Sequence, residues 1–363
     1  MMLICYVTIG IVNSLALLVL SFMLLQNYAL TNKIRRGMLL ANFFTIVIIL
    51  SEMGTTYFEL GNVPFNAWYV FWNVLGFSIS PLIGIFLGYA FHEKKNGCHT
   101  LLMIPFALNG ILALLSPVLG LIFRISDNQY SRGPFFFVYI ITYVVYTLFF
   151  LTQVYYSIRK YPDTSKYTLV LLILFVLGGT TIQISVPSIH VSWLCITFTL
   201  ILCYAYLCEL SLKKDALTNL LNRFAYEHCL QCWNKTKNVC ILVFDVDEFK
   251  EINDRYGHTY GDSCLKMVAH CIDEVFSSIG TCYRIGGDEF CVLSPHQNER
   301  LVQNTMKLFH KKLDLYRKTD PLIPQVSIGY SIYNKSQGTL KHAIKRADDQ
   351  MYRSKAKKKV ACH

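Results

Sequence analysis

The sequence predicts a bundle of membrane-spanning α-helices followed by a separate α/β domain, and three observations predict it. Of the 363 residues 53% are hydrophobic and only 16% charged, a balance too apolar for one soluble globule. The acidic residues are unevenly placed, with five before position 209 and eighteen from it onward. Finally, the first part reads as long apolar stretches, whereas the second reads as short strands and amphipathic helices. Residues 1–208 are therefore expected in lipid and residues 209–363 in water.

Seven apolar stretches of helix-spanning length lie near 3–25, 38–59, 68–91, 101–123, 135–156, 167–186 and 189–210. The first has no basic residue before it and no small-residue cleavage site after it, so it is expected to remain as a span. Lys33, Arg35 and Arg36, then Lys94 and Lys95, then Arg159, Lys160 and Lys166 fall on alternate loops, which places those loops in the cytoplasm. Seven crossings from an outside N-terminus put Lys213, Lys214 and everything after them inside, so a multi-pass protein of the inner (plasma) membrane is expected. External loops are short, the longest being about ten residues around Ser126 to Arg132. Any stimulus would be read within or beside the bilayer. Glu52, inside the second stretch, is either a sensing carboxylate or one hydrogen-bonded to a neighbouring helix for packing. Pro81, Pro105 and Pro117 read as ordinary kinks. In span count and loop brevity this part is similar to the seven-helix N-terminal region of some bacterial sensor kinases and cyclases.

The net charge of +11 divides into +5 and +6, which suits anionic headgroups on one part and a polyphosphate ligand on the other; nucleic-acid binding is not demanded. Thirteen cysteines, odd in number and scattered, read as reduced thiols. Cys229 and Cys232 form a lone C-x-x-C with no second pair at zinc-ribbon spacing and read as structural.

In the second part, Val239 to Phe244 is a continuous apolar run closed by Asp245 and Asp247, as expected of a buried strand with carboxylates at its end. Asp262 to Phe276 reads as a helix. Strands at Thr281 to Ile285 and Phe290 to Leu293 join across Gly286, Gly287, Asp288 and Glu289 as a hairpin with an acidic tip. A helix near Asn298 to Tyr316, a strand from Gln325 to Tyr333 and a helix from Thr339 to Lys355 complete the domain. This alternation leaves strand order undetermined and on its own suggests a parallel sheet. Glycines in the tip admit close backbone approach, and neighbouring carboxylates suit divalent metal against phosphate oxygens. Asp245 with Asp247 and Asp288 with Glu289 thus fit metal-assisted displacement at phosphorus.

Four blocks in order, DALTNLLNR (Asp215 to Arg223), FDVDEFKEINDRYGHTYGD (Phe244 to Asp262), RIGGDEF (Arg284 to Phe290) and SIGYS (Ser327 to Ser331), resemble the GGDEF family of diguanylate cyclases over residues 209–363. The resemblance implies a palm-like, nucleotide-cyclase-type α/β fold with a mostly antiparallel sheet, and an activity joining two GTP into cyclic di-GMP with loss of two pyrophosphates. It implies that Asp245, the Val246 carbonyl, Asp288 and Glu289 bind Mg2+ (or Mn2+). Glu289 would act as the metal-linked acid or base. Lys250, Lys355 and Lys359 would contact the triphosphate, Asn253 and Asp262 the guanine, and Asp247 would serve as an outer support or helix cap. Catalysis would require a homodimer. Two departures stand out. Lys359 replaces an arginine of the family's A-K-x-x-G-R-N segment, losing the bidentate fork. Ser277 and Gly280 replace the arginine and aspartate of the product-inhibition motif. A catalytically silent GGDEF module, and a transporter or receptor carrying a regulatory tail, are the competing readings.

Overall fold

The computed structural model describes residues 2–61, 63–92, 99–126, 128–160, 166–185, 191–233, 239–295, 298–334 and 339–361. The chain divides into two units, Met1–Ser211 and Leu212–His363.

The first unit is built from α1 (Met2–Gln26), α2 (Asn32–Leu60), α3 (Ala67–Ile79), α4 (Leu82–Phe91), α5 (His99–Leu119), α6 (Phe136–Lys160), α7 (Lys166–Ser185) and α8 (Ser192–Leu212). Among the described residues six helical stretches are long and apolar enough to cross a membrane, with α3 and α4 counted as one. The sequence suggested seven. At the sixth expected stretch α7 is helical, but its described apolar part is only Val170–Gly179. Lys94 and Lys95, and the side chains of Arg159, Lys160 and Lys166, lie outside the described residues.

Proline acts differently at its three positions. α5 continues through Pro105 and Pro117, whereas Pro81 stands where α3 gives way to α4. Close packing on α4 depends on glycine: a Cβ at Gly84 would lie 3.0 Å from the Tyr146 backbone, and one at Gly88 would overlap the Phe149 ring.

The fourth expected stretch, 101–123, ends early. Gly120 takes φ +61°, as helix C-termini favour, and the chain turns into an antiparallel hairpin of β1 (Phe123–Ser126) and β2 (Gln129–Arg132). Ile122 and Phe123 are buried beneath it against Val74, Phe77, Phe136 and Tyr139, so these apolar residues serve a small core rather than a span. Glu52 of α2 interacts with Tyr6 of α1, a contact between neighbouring helices.

The second unit contains α9 (Arg223–Trp233), β3 (Val239–Val246), α10 (Phe249–Tyr256), α11 (His258–Phe276), β4 (Thr281–Arg284), β5 (Glu289–Ser294), α12 (Glu299–Thr319), β6 (Val326–Tyr333) and α13 (Leu340–Ala361). The sheet order is β4-β5-β3-β6 with every pairing antiparallel, so the parallel arrangement that alternation suggested does not form. Every residue of β3 is buried, because it is flanked by strands on both edges and covered on its faces. Phe244 meets Phe276 and Phe309 edge-on at ring separations of 5.2 and 5.7 Å, tying β3 to α11 and α12. Cys229 is a buried thiol, and the Cys232 side chain lies outside the described residues.

α13 lies directly on β6. A Cβ at Gly329 would overlap the Ala347 carbonyl oxygen and the Met351 nitrogen, so this glycine is required by a backbone-to-backbone approach. Gly329→Ala is expected to lower stability by about 1–3 kcal/mol through overpacking. Thermal unfolding of the full-length variant should show a lowered transition; an unchanged one would mean that α13 is not seated on β6.

Candidate active site

Three elements converge at one end of β3. Asp245 sits on its penultimate position, 6% exposed, and pairs in register with Glu289 on one side and Ser327 on the other. The Val246 N–H donates to the Asp288 carbonyl at 3.2 Å. The antiparallel ladder therefore continues one step into the tip joining β4 to β5, setting Asp288 opposite Val246 and Glu289 opposite Asp245 at the end of β3.

The tip is pinned from outside. The Arg284 guanidinium donates from Nε (3.2 Å) and Nη2 (2.7 Å) to the Gly287 carbonyl, and from Nη1 (2.9 Å) to Asp215 Oδ1. Asp215 Oδ1 also accepts from the Thr218 N–H (2.9 Å) and hydroxyl (2.7 Å). The segment between them is stitched to β4, with the Leu221 N–H on Cys282 O and the Arg284 N–H on Leu221 O at 3.2 and 2.7 Å. Sequence reasoning assigned no role to Asp215 or Arg284. Their signal was a complementary charge in two separate motifs, legible only once folding brings them together.

The charges at the strand end are crowded. Burial raises the Asp245 pKa, and the charges of Asp288 and Asp247 add to this while Lys355 opposes it. Glu289 is likewise raised by burial and then by Asp245 and Asp288. Lys355 on α13 donates to Asp245 Oδ1; burial lowers the lysine pKa, but this bond together with the charges of Asp245, Asp247 and Asp288 outweighs it and the net shift is upward. The arrangement is an acidic concentration of Asp245, Asp247, Asp288 and Glu289 only partly offset by the ammonium groups of Lys355 and Lys358, an environment that favours additional positive charge. Among the described residues no three His, Cys, Asp or Glu side chains are grouped closely enough to cage a metal ion by themselves.

Asp247 does not cap α10. The residue before that helix is Glu248, at φ +57° and without a side-chain cap bond. Asp247 instead accepts from the Ser327 hydroxyl at 2.6 Å and Lys358 Nζ at 2.8 Å. Nothing in the local sequence marks Lys358 for these inward contacts, which depend on α13 packing against β6.

The expected base-binding residues lie at the α10–α11 corner. Among the described residues no hydrogen-bond partner meets the buried Asn253 Oδ1. It rests over Gly261, where a Cβ would overlap it. Asp262, next along α11, is exposed, as is Lys250 on α10. The Lys359 side chain lies outside the described residues.

Residues 212–360 match the family model described as "Diguanylate cyclase, GGDEF domain". Among curated relatives, the chain is 33% identical over 153 residues to the cyclic di-GMP phosphodiesterase NbdA of Pseudomonas aeruginosa, a match covering 40% of this chain and 19% of that protein. It is 26% identical over 147 residues to the diguanylate cyclase VdcA of Vibrio cholerae (39% of this chain, 43% of that protein). With diguanylate cyclase A of Treponema denticola it shares 32% identity over 124 residues, 33% of each chain. The matched region thus spans less than half the length of each of these relatives. A crystal structure of the coiled coil and GGDEF domain of DgcB from Caulobacter crescentus with c-di-GMP aligns at 27% identity and a TM-score of 0.38, covering 42% of this chain and 85% of that one.

The Asp215–Arg284 pair carries a pH signature. Burial opposes ionisation of Asp215, but the Thr218 bonds and Arg284 outweigh it and hold the carboxyl below its ordinary value of 3.8. Its contribution is therefore present above that value and lost as pH falls through the lower folded one. Asp215→Asn should destabilise the protein by about 1–2 kcal/mol at neutral pH, with the gap from wild type narrowing below pH 3.8. Thermal unfolding at a series of pH values tests this. A gap that widens with acidification would contradict the pairing.

Proposed function

We propose that the chain is a membrane-anchored diguanylate cyclase, joining two GTP into cyclic di-GMP with release of two pyrophosphates. The observation that carries this is the buried acidic end of β3 closed by the Asp288–Glu289 tip, within a region matching the GGDEF family model. The complete signature Gly286, Gly287, Asp288, Glu289 and Phe290 favours an enzyme over a silent binding module.

The donor set fits divalent metal: Asp245 and, across the ladder, Glu289, both raised by burial, with Asp288 beside them and a backbone carbonyl at Val246. Mg2+ (or Mn2+) held by Asp245, Val246, Asp288 and Glu289 would neutralise triphosphate charge and acidify the attacking 3′-hydroxyl. Glu289, with its raised proton affinity, is suited to take that hydroxyl's proton. Arg284 keeps the tip's backbone fixed while substrate enters. Lys250, Lys355 and Lys359 supply ammonium charge for the phosphates. Asn253 Oδ1, an acceptor with no donor among the described residues, and the Asp262 carboxylate can accept from the ring N–H and exocyclic amine of guanine, neither of which adenine offers. Each 3′-oxygen attacks the α-phosphorus of the other GTP, a phosphodiester forms and pyrophosphate leaves. Two domains, one GTP in each, must face each other, so a homodimer is the working form.

Membrane insertion is supported by an inverted polarity in the first unit. Ile11, Leu15, Leu18 and Phe22 point outward, whereas Asn42, Thr45, Ser51 and Asn109 are buried, as lipid surroundings favour. The second unit would lie in the cytoplasm, where GTP is available, under the control of a signal read in or near the bilayer.

Asp245→Ala or Asp288→Ala should reduce GTP turnover at least about a hundredfold while the thermal transition persists, because each removes a charged group at the reacting phosphate. Near-normal turnover in either would refute the assignment. Product feedback is expected to be weak. Ser277 and Gly280 lack the charges such a site needs, and a Cβ at Gly280 would come within 2.7 Å of the Leu293 carbonyl oxygen. Titration with cyclic di-GMP during pyrophosphate release checks this; strong noncompetitive inhibition at low micromolar product would contradict it.

A further inference from the structure

Asp245 and Asp247 are alternate residues at one strand end and share a side of the sheet. α13 brings them two ammonium groups three residues apart, a spacing that places both on one helix face. Lys355 bonds Asp245. Lys358 bonds Asp247 Oδ2 at 2.8 Å, the Val326 carbonyl at 2.8 Å and the Ser327 hydroxyl at 3.2 Å. Three acceptors use all three protons of an ammonium, so Lys358 has none left for a ligand. Among the described residues Lys355 makes one hydrogen bond, which leaves it protons to offer.

The two assignments depend on each other. Asp247 also attracts Lys355 electrostatically. Without Lys358, the Asp247 carboxylate would keep the Ser327 hydroxyl but no ammonium, and would compete with Asp245 for Lys355. The same ammonium ties together the first residues of β6, opposite Val246 and Asp245 in the ladder.

We infer that Lys358 is a positioning residue: by neutralising Asp247 it commits Lys355 to Asp245, where its spare protons can meet the triphosphate of GTP. The role of Lys355 toward nucleotide rests on the cyclase reading above; the division of charges between the two lysines does not.

The test uses the full-length protein. Lys358→Met should raise KM for GTP about tenfold while kcat falls less than about threefold, the mark of lost ground-state contact. Adding Asp247→Asn removes the competing carboxylate and should return KM to within about threefold of wild type, a coupling between neighbouring sites. If Lys358 merely braces the strand ends, the second substitution will deepen the defect and the inference falls. A second measurement is independent of activity: amine acetylation of the nucleotide-free protein, read by mass spectrometry. Lys358 should react at least about fivefold more slowly than exposed Lys357, since its ammonium is partly buried and held by three acceptors, and Asp247→Asn should speed it. Equal rates at Lys358 and Lys357 would overturn the charge assignment. A wild-type protein that turns over no GTP would instead overturn the functional reading, and the labelling result would then decide the assignment alone.

Discussion

A strand buried along its whole length cannot carry ionised side chains at its end unless other elements come to meet them, because an uncompensated buried charge costs several kcal/mol. β3 ends in two carboxylates, and much of the second unit can be understood as the response. Its neighbours β5 and β6 deliver Glu289 and Ser327 opposite Asp245. α13 lies on β6 closely enough, through Gly329, to bring Lys355 and Lys358 to Asp245 and Asp247. Arg284 and Asp215 brace the tip beside them. The strand end is thereby held acidic and only partly neutralised, as the proposed site for a metal-bearing triphosphate would require.

In the first unit several polar groups are turned inward while many apolar ones face outward, and some of the inward groups gather on the last turns of α8. Asn27 donates to the Tyr204 hydroxyl (3.3 Å) and to Cys208 Sγ (3.2 Å), Ser157 and the Tyr206 hydroxyl bond at 3.1 Å, and Phe91 stacks on Tyr206 at 5.9 Å. The chain passes from this helix directly into the second unit at Leu212. In the function proposed above, this helix would be the covalent route by which a signal in the bilayer reaches the cyclase segment.

What could be read from the sequence was whatever local pattern decides. VCILVF announced a central strand because burial on both faces leaves no alternation, and the acidic tip stood out through its glycines. α10 was missed: FKEINDRY is short, largely polar and has no buried residue, so no periodicity marks it. Ile122 and Phe123 were counted into a span because composition cannot distinguish lipid contact from a small core under a hairpin. The antiparallel sense of the sheet came only through family resemblance and the strand order not at all, since pairing of β3 with both β5 and β6 depends on contacts far apart in the chain. Arg284 and Asp215 are 69 residues apart, and Lys358 looked like any lysine on a solvated helix face until β6 was placed beneath it.

The central claim is chemical, and it is tested most directly by identifying what the full-length protein makes from GTP and Mg2+ in lipid or detergent. Mass spectrometry should find cyclic di-GMP and pyrophosphate in a ratio of one to two, with the rate per protomer rising as protein concentration rises, because two domains must meet. Consumption of GTP to GDP or GMP without the cyclic product, or no consumption at all by folded protein, would contradict the account.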